Sequence, residues 1–264
     1  MRRWAAHVIL WTAAAAVLIP FIPLILWSFS GRWFYPAPWP QDWGVRAWGY
    51  VFETAGSQIG SALWQSVFVS GWAAVISTAI AIPAGRALGL YRFAGKDAVS
   101  FFLAAPVIVP PLVTAMGLHL WFLKLGLADT RTGVILFHLS FCLPYAVFVL
   151  KGVFTVYHWE LEDQARSLGA SPVQVFFSVT LPMIFPGVVV AALFSFLLSW
   201  SQYLGTLIIG GGRVTTLPIL LFSVMASGDR PVAAAVSLVF VLPTLAVLFI
   251  SAKALGQKSM TGVW

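Results

Sequence analysis

The placement of charge constrains this chain more than any other feature. Six runs contain no Asp, Glu, Lys or Arg: 4–31, 54–85, 98–123, 132–150, 167–212 and 231–252. Each holds at least 19 residues, and a helix needs about 20 mostly apolar residues to cross a bilayer. In hydrocarbon every backbone N–H and C=O must be satisfied by the protein itself, which leaves helices or closed barrels. The ten-residue alternation of barrel strands is not visible, so the runs predict helices. Composition agrees: the chain is 60% hydrophobic and 9% charged, where a soluble domain carries about a quarter charged residues.

The longest run, 167–212, divides unevenly. Pro172, Pro182 and Pro186 interrupt its first part, and the apolar piece between Pro172 and Pro182 is too short to cross. One span from about 183 to 209 is therefore expected. The full set is 8–29, 62–87, 98–123, 133–155, 183–209 and 232–252. This describes an all-α polytopic protein: one transmembrane domain over 1–264, with a cytoplasmic loop at 158–180 between the fourth and fifth spans. The first apolar stretch has no A-x-A site followed by a polar start, so it reads as a span and not as a cleaved signal.

With the N-terminus inside, nine Lys and Arg fall on the cytoplasmic side, Arg2, Arg3 and Lys258 among them, against six outside. That bias has the sign of the positive-inside rule and puts both termini in the cytoplasm. The net charge of +7 suits contact with anionic lipid and calls for no nucleic acid. Trp and Tyr in the 30–60 stretch suit an interfacial belt.

The chain offers little chemistry of its own. Cys142 is the sole cysteine, which excludes an internal disulfide, and the four histidines are scattered, with no metal-binding H-E-x-x-H. There is no G-x-x-x-x-G-K-[ST], no nucleophile–base pair and no carboxylate dyad within a span. We therefore expect no catalytic residue, no metal and no cofactor on this chain. An ion-coupled secondary transporter or channel acting without an ATPase is the alternative, but such carriers usually keep an ionisable group in the membrane. The expected spans contain neither Asp nor Glu. Energy for uphill transport would then have to arrive from another protein.

Two spans carry polar or irregular features. Pro106, Pro110 and Pro111 remove several helical hydrogen bonds from the third, as a kink packed by its neighbours or as a broken helix lining a pathway. In the fifth, Ser195, Ser199 and Gln202 stand at i, i+4 and i+7, which puts them on one helical face with Tyr203 beside it. Such a stripe serves helix–helix hydrogen bonding or contacts a passing solute.

The loop LEDQARSLGASPVQVFFSVTLP, residues 161–182, concentrates scarce charge. Glu160, Glu162 and Asp163 are three of only eight acidic residues in the chain. They favour a helix N-terminus. Trp159, Leu161, Ala165 and Leu168 form an apolar edge. Gly169 fits the left-handed position after a helix. Ser171, Pro172 and Gln174 form a capping-box pattern opening a second helix. An interfacial helix on an anionic leaflet should be basic. An acidic one fits a basic groove on a soluble protein.

In these residues the loop resembles the EAA signature of permease subunits of ABC importers, E-A-A-x-x-x-G followed by L-P. Here it reads Asp163-Gln164-Ala165, Gly169 and Leu181-Pro182, with Asp for Glu and Gln for the first Ala. The segments YRFAGKDAVSF at 91–101 and HLSFCLPYAVFV at 138–149 are similar to the C-type permease of spermidine/putrescine importers and its thiamine and iron relatives. The resemblance implies an importer in which an ABC ATPase dimer, carrying ATP and Mg, engages Asp163, Gln164, Ala165 and Gly169. Because Asp is shorter than Glu, Glu162 is a second candidate for that contact. It also implies a second, different permease subunit and a periplasmic or lipid-anchored binding protein. Polyamine permeases of this kind carry acidic residues in the fifth span, whereas Ser199–Tyr203 supplies none. A polycation in a low-dielectric pore wants a counter-charge, so a partner permease would have to provide it.

Overall fold

The computed structural model describes residues 15–34 and 36–259, together with Trp4, His7, Trp11 and Thr12. Arg2, Arg3, residues 8–10 and 13–14 of the 8–29 span and the side chain of Lys258 lie outside the described residues.

In chain order the elements are α1 (Phe21–Ser28), β1 (Ser30–Arg32), β2 (Asp42–Trp43), α2 (Arg46–Gly49), α3 (Gly56–Leu90), α4 (Lys96–Ile108), α5 (Pro111–Lys124), α6 (Arg131–Thr155), α7 (Glu160–Ser167), α8 (Pro172–Val175), α9 (Leu181–Trp200), α10 (Leu204–Gly210), α11 (Leu217–Ala226) and α12 (Arg230–Ser259). π-helical turns occupy Tyr50–Thr54 and Phe176–Thr180. The protein is a helical polytopic membrane protein, and its described residues include a two-stranded ribbon that the charge pattern did not anticipate. Among the described residues, four helices are long and apolar enough to cross a bilayer: Gly56–Leu90, Arg131–Thr155, Pro172–Trp200 and Arg230–Gly256.

Two of the expected spans need correction. The 98–123 span is not one helix, because α4 and α5 meet at a 100° bend. Pro110 and Pro111 lie at the bend and lack the amide protons that would carry the ladder across it. The 183–209 span stops at Trp200; residues 201–203 are non-helical, and α10 begins at Leu204.

The chain forms two compact units, 1–63 with 217–243 and 64–216 with 244–264. In the first, β1 and β2 pair antiparallel, Ser30 opposite Trp43 and Arg32 opposite Asp42. Arg32 and Asp42 make an exposed ion pair at 2.6 Å. Arg46 meets Asp229 through two hydrogen bonds of 2.9 and 2.8 Å. That contact comes first in depressing the Asp229 carboxyl below its ordinary value.

In the second unit α6 is the central element. Its Ala146, Val147, Leu150 and Phe154 pack with Ala81 and Leu88 of α3 and Ile184 and Ala191 of α9. Its Val134, Phe137 and Phe141 pack with Ala115 and Phe122 of α5 and Ile209 of α10. The Gly85-x-x-x-Gly89 spacing brings α3 close to α6. A Cβ at Gly85 would stand 2.7 Å from Leu150 Cβ, and one at Gly89 would stand 2.9 Å from the Lys151 carbonyl. Small residues permit this approach, which drives helix association in lipid through van der Waals contact.

Candidate coupling site

The loop after α6 folds as its residues dictate. Three acids occupy the first turn of α7, where they complement the unpaired amides of a helix N-terminus. α7 ends at Ser167, and Gly169 takes φ +88°, a conformation L side chains rarely adopt. Ser171 then accepts from the Gln174 amide while the Gln174 side chain accepts from the Ser171 amide, so the capping box is complete. A π-helical turn follows, in which the Leu181 amide donates to the Phe176 carbonyl. The widening falls just before Pro182, which has no amide proton to keep the α-helical register.

One carboxylate organises the loop. Glu162 Oε1 accepts from Arg86 Nη1 at 2.6 Å, from the Tyr157 hydroxyl at 2.7 Å and from the Thr180 hydroxyl at 2.8 Å. Oε2 accepts from Arg86 Nη2 at 2.7 Å and from Arg166 Nη2 at 3.4 Å. The Glu162 side chain is 3% exposed. The Arg86 fork, and then the Tyr157 and Thr180 hydroxyls, hold its carboxyl down at about 2 against the opposing effect of burial. Burial, chiefly, pushes the Tyr157 hydroxyl up to about 12. The Arg86 guanidinium also lies 5.9 Å from the centre of the Phe154 ring.

Glu162 was expected at the surface as a candidate ATPase contact, and it is not there. Its carboxylate turns inward because a cation and two hydroxyls await it, whereas a buried carboxylate without such partners would be prohibitively costly. Asp163 is 54% exposed. Gln164 and Gly169 are exposed, and Ala165 is half-buried. Trp159 is 51% and Leu168 90% exposed, so much of the apolar edge of α7 is uncovered on this chain. Leu181 packs against the core around α6, and Pro182 is exposed.

The polar stripe of the fifth span divides in two. Ser195 and Ser199 are buried on α9. Gln202 and Tyr203 are half-buried in the non-helical stretch beyond it, so they do not share its helical face. His138 of α6, which had no role in the sequence reading, joins the two pieces. Its Nδ1 lies 2.6 Å from Ser199 Oγ, and its Nε2 lies 2.9 Å from Thr206 Oγ1 on α10. Thr206 donates to the Gln202 carbonyl at 3.0 Å, which leaves its oxygen to accept from Nε2–H and Nδ1 to accept from Ser199. Arg86, Tyr157, Thr180, His138 and Thr206 were all missed. The one available signal was Arg86, the charge that closes the 54–85 run.

Known proteins place this architecture. The family described as the binding-protein-dependent transport system inner membrane component matches residues 81–260. The putrescine transport system permease protein PotI of Escherichia coli (strain K12) is 30% identical over 220 residues, covering 80% of this chain and 76% of PotI. The spermidine/putrescine transport system permease protein PotC of Haemophilus influenzae is 26% identical over 251 residues, 95% of this chain and 96% of PotC. A bacterial ABC transporter involved in alginate import shares the fold, with a TM-score of 0.71 at 20% identity over 94% of each chain. The family match covers the α3 end, the acidic loop and every helix packed on α6. This chain belongs to the binding-protein-dependent transport system inner membrane component family, as a multi-pass inner-membrane permease subunit of an ABC importer.

Proposed function

We propose that this permease imports a small organic cation of the polyamine class, and that α7 and the Gly169 elbow are the surface on which a partner ATPase acts. The observation that carries the docking reading is the outer face of α7. Trp159, Glu160, Asp163, Gln164 and Leu168 line a shallow depression there, part acidic and part apolar. Trp159 and Leu168, both exposed and both lining that depression, give the loop an apolar patch beside its acids, of the kind a partner protein covers. On this reading Asp163 makes the charged contact, Gln164 and Ala165 the packing contact, and Gly169 the turn. Leu181 and Pro182 begin the span that the loop drives. ATP and Mg sit on the ATPase, and this chain contributes no catalytic group.

The remaining assignments rest on the family. The whole chain, 1–264, acts as one transmembrane domain of six spans, with both termini cytoplasmic. It pairs with a second, different permease and receives solute from a periplasmic or lipid-anchored binding protein. Gln202 and Tyr203, at the break between α9 and α10, are better placed for a pathway than Ser195 and Ser199, which are buried against neighbouring helices. The polyamine class is supported by the similarity to PotI and PotC, permeases of a putrescine and a spermidine/putrescine transport system.

One observation favours a neutral solute instead: no Asp or Glu lies between Asp163 and Asp229. Under the polyamine reading the partner permease supplies the counter-charge. Uptake of labelled putrescine into proteoliposomes containing the whole transporter decides between the two. Saturable uptake that excess spermidine blocks and a neutral disaccharide does not supports the cation. No putrescine uptake, together with saturable ATP-dependent uptake of a labelled neutral disaccharide, supports the neutral solute. For docking, Asp163→Lys with Leu168→Ala should strip the ATPase from the purified complex, and undiminished co-purification would remove α7 from the interface.

A further inference from the structure

We infer that Glu162 and Arg86 form the joint that transmits motion of the coupling loop to the membrane helices, and that neither residue touches the ATPase. This rests on the assignment of α7 as the docking surface.

The hydrogen-bonding capacity of the Glu162 carboxylate is filled within this chain. Oε1 accepts three donors and Oε2 accepts two. With its side chain 3% exposed, Glu162 has no capacity left for a partner protein. Its donors come from three places besides α7 itself. Arg86 lies near the end of α3, Tyr157 just past the end of α6, and Thr180 in the π-helical turn that leads into α9. Thr180 follows the Gly169 elbow and Glu162 precedes it, so their 2.8 Å bond closes the loop on itself. A push on α7 or α8 therefore moves 160–180 as one body.

The far side of the joint is equally tight. Arg86 lies between Gly85 and Gly89, where the α3 backbone presses on Leu150, Lys151 and Phe154 of α6. Close-packed backbones cannot slide past one another without breaking contact. The pairing of the guanidinium fork with both carboxylate oxygens fixes orientation as well as distance, which a single point contact would not do. Displacement of α7 thus reaches α3 and α6 together.

The test uses the complete transporter in proteoliposomes and reads two quantities: ATPase retained on purification, and solute imported per ATP hydrolysed. Glu162→Gln keeps the shape and an acceptor for Tyr157 and Thr180 but removes the ion pair. Arg86→Lys keeps the charge but loses the fork. We expect both variants to retain the ATPase and to hydrolyse ATP, while solute per ATP falls about tenfold for Glu162→Gln and less for Arg86→Lys. The double variant Arg86→Gln/Glu162→Gln should be no worse than Glu162→Gln alone, since both lack the same link.

Wild-type solute per ATP in Glu162→Gln overturns the inference. So does loss of ATPase from Glu162→Gln matching that of Asp163→Lys/Leu168→Ala, because Glu162 would then be a docking residue. If neither single variant assembles, the cluster is a folding element and the inference fails. Failure of the docking assignment shows up separately, as an Asp163→Lys/Leu168→Ala complex that keeps its ATPase.

Discussion

Replacing Gly169 isolates the elbow with little else changed. Its φ is +88°, and a Cβ built there meets nothing within 4 Å. The cost of a side chain is therefore conformational and carries no packing contribution from this chain. Holding an L-residue in the left-handed region costs about 1–2 kcal/mol. Asn tolerates that region best and β-branched residues worst. The order of cost should be Asn, then Ala, then Val, with Ala near 1 and Val near or above 2 kcal/mol by order of magnitude.

A penalty of ~1–2 kcal/mol lowers the population of the native elbow about 5- to 30-fold. If the ATPase selects that conformation, its affinity falls by the same factor. The assay is ATPase binding to the permease held in nanodiscs, alongside amide exchange across α7 as a report on the elbow itself. Ala should weaken binding about fivefold and speed exchange at the end of α7, with Asn closer to wild type. Equal binding by Gly, Ala and Val would refute the reasoning, as would Asn costing as much as Val.

Three further outcomes follow from the same geometry. Gly89→Leu forces side-chain atoms into Phe154 and the Lys151 carbonyl and should destabilise the detergent-solubilised protein by about 1–3 kcal/mol or more, whereas Gly152→Ala, with open space around its Cβ, should be neutral or stabilising; equal melting curves would contradict the close α3–α6 approach. His138→Leu removes the link between Ser199 and Thr206 and should cost about 1–2 kcal/mol, seen as a lowered unfolding midpoint with ATPase binding unchanged. The Glu162 carboxyl is depressed from 4.5 to about 2, so its stabilisation is complete above pH 4.5 and is lost as pH falls toward 2. The stability difference between wild type and Glu162→Gln should accordingly be flat from about pH 5 to 8, and a decline within that window would show that another group controls it.

The sequence carried the local structure further than the contacts. Charge-free runs located α3, α6, α9 and α12 because lipid imposes the same rule on every residue of a span. The capping box at Ser171 and the turn at Gly169 were legible because they depend only on neighbours in the chain. The breaks were harder. Pro106, Pro110 and Pro111 signalled an interruption, but the 100° bend is set by what packs around it. At 201–203 the side chains read as ordinary helix, and the chain leaves the helix where Gln202 meets Thr206 and, through it, His138. The Arg86–Glu162 pair spans 76 residues, a separation at which no local pattern announces a partner. Reading Glu162 as a surface acid followed from its neighbours, and its burial follows from Arg86.

The central claim is that this chain forms a pathway driven by ATP hydrolysed elsewhere. The most direct test is uptake of radiolabelled putrescine into proteoliposomes, with the permease alone or with its partner permease, ATPase and binding protein. The account predicts uptake only in the complete system, only with ATP and Mg enclosed on the ATPase side, and none with a non-hydrolysable analogue. Uptake by this permease alone, or uptake driven by an ion gradient without ATP, would contradict it.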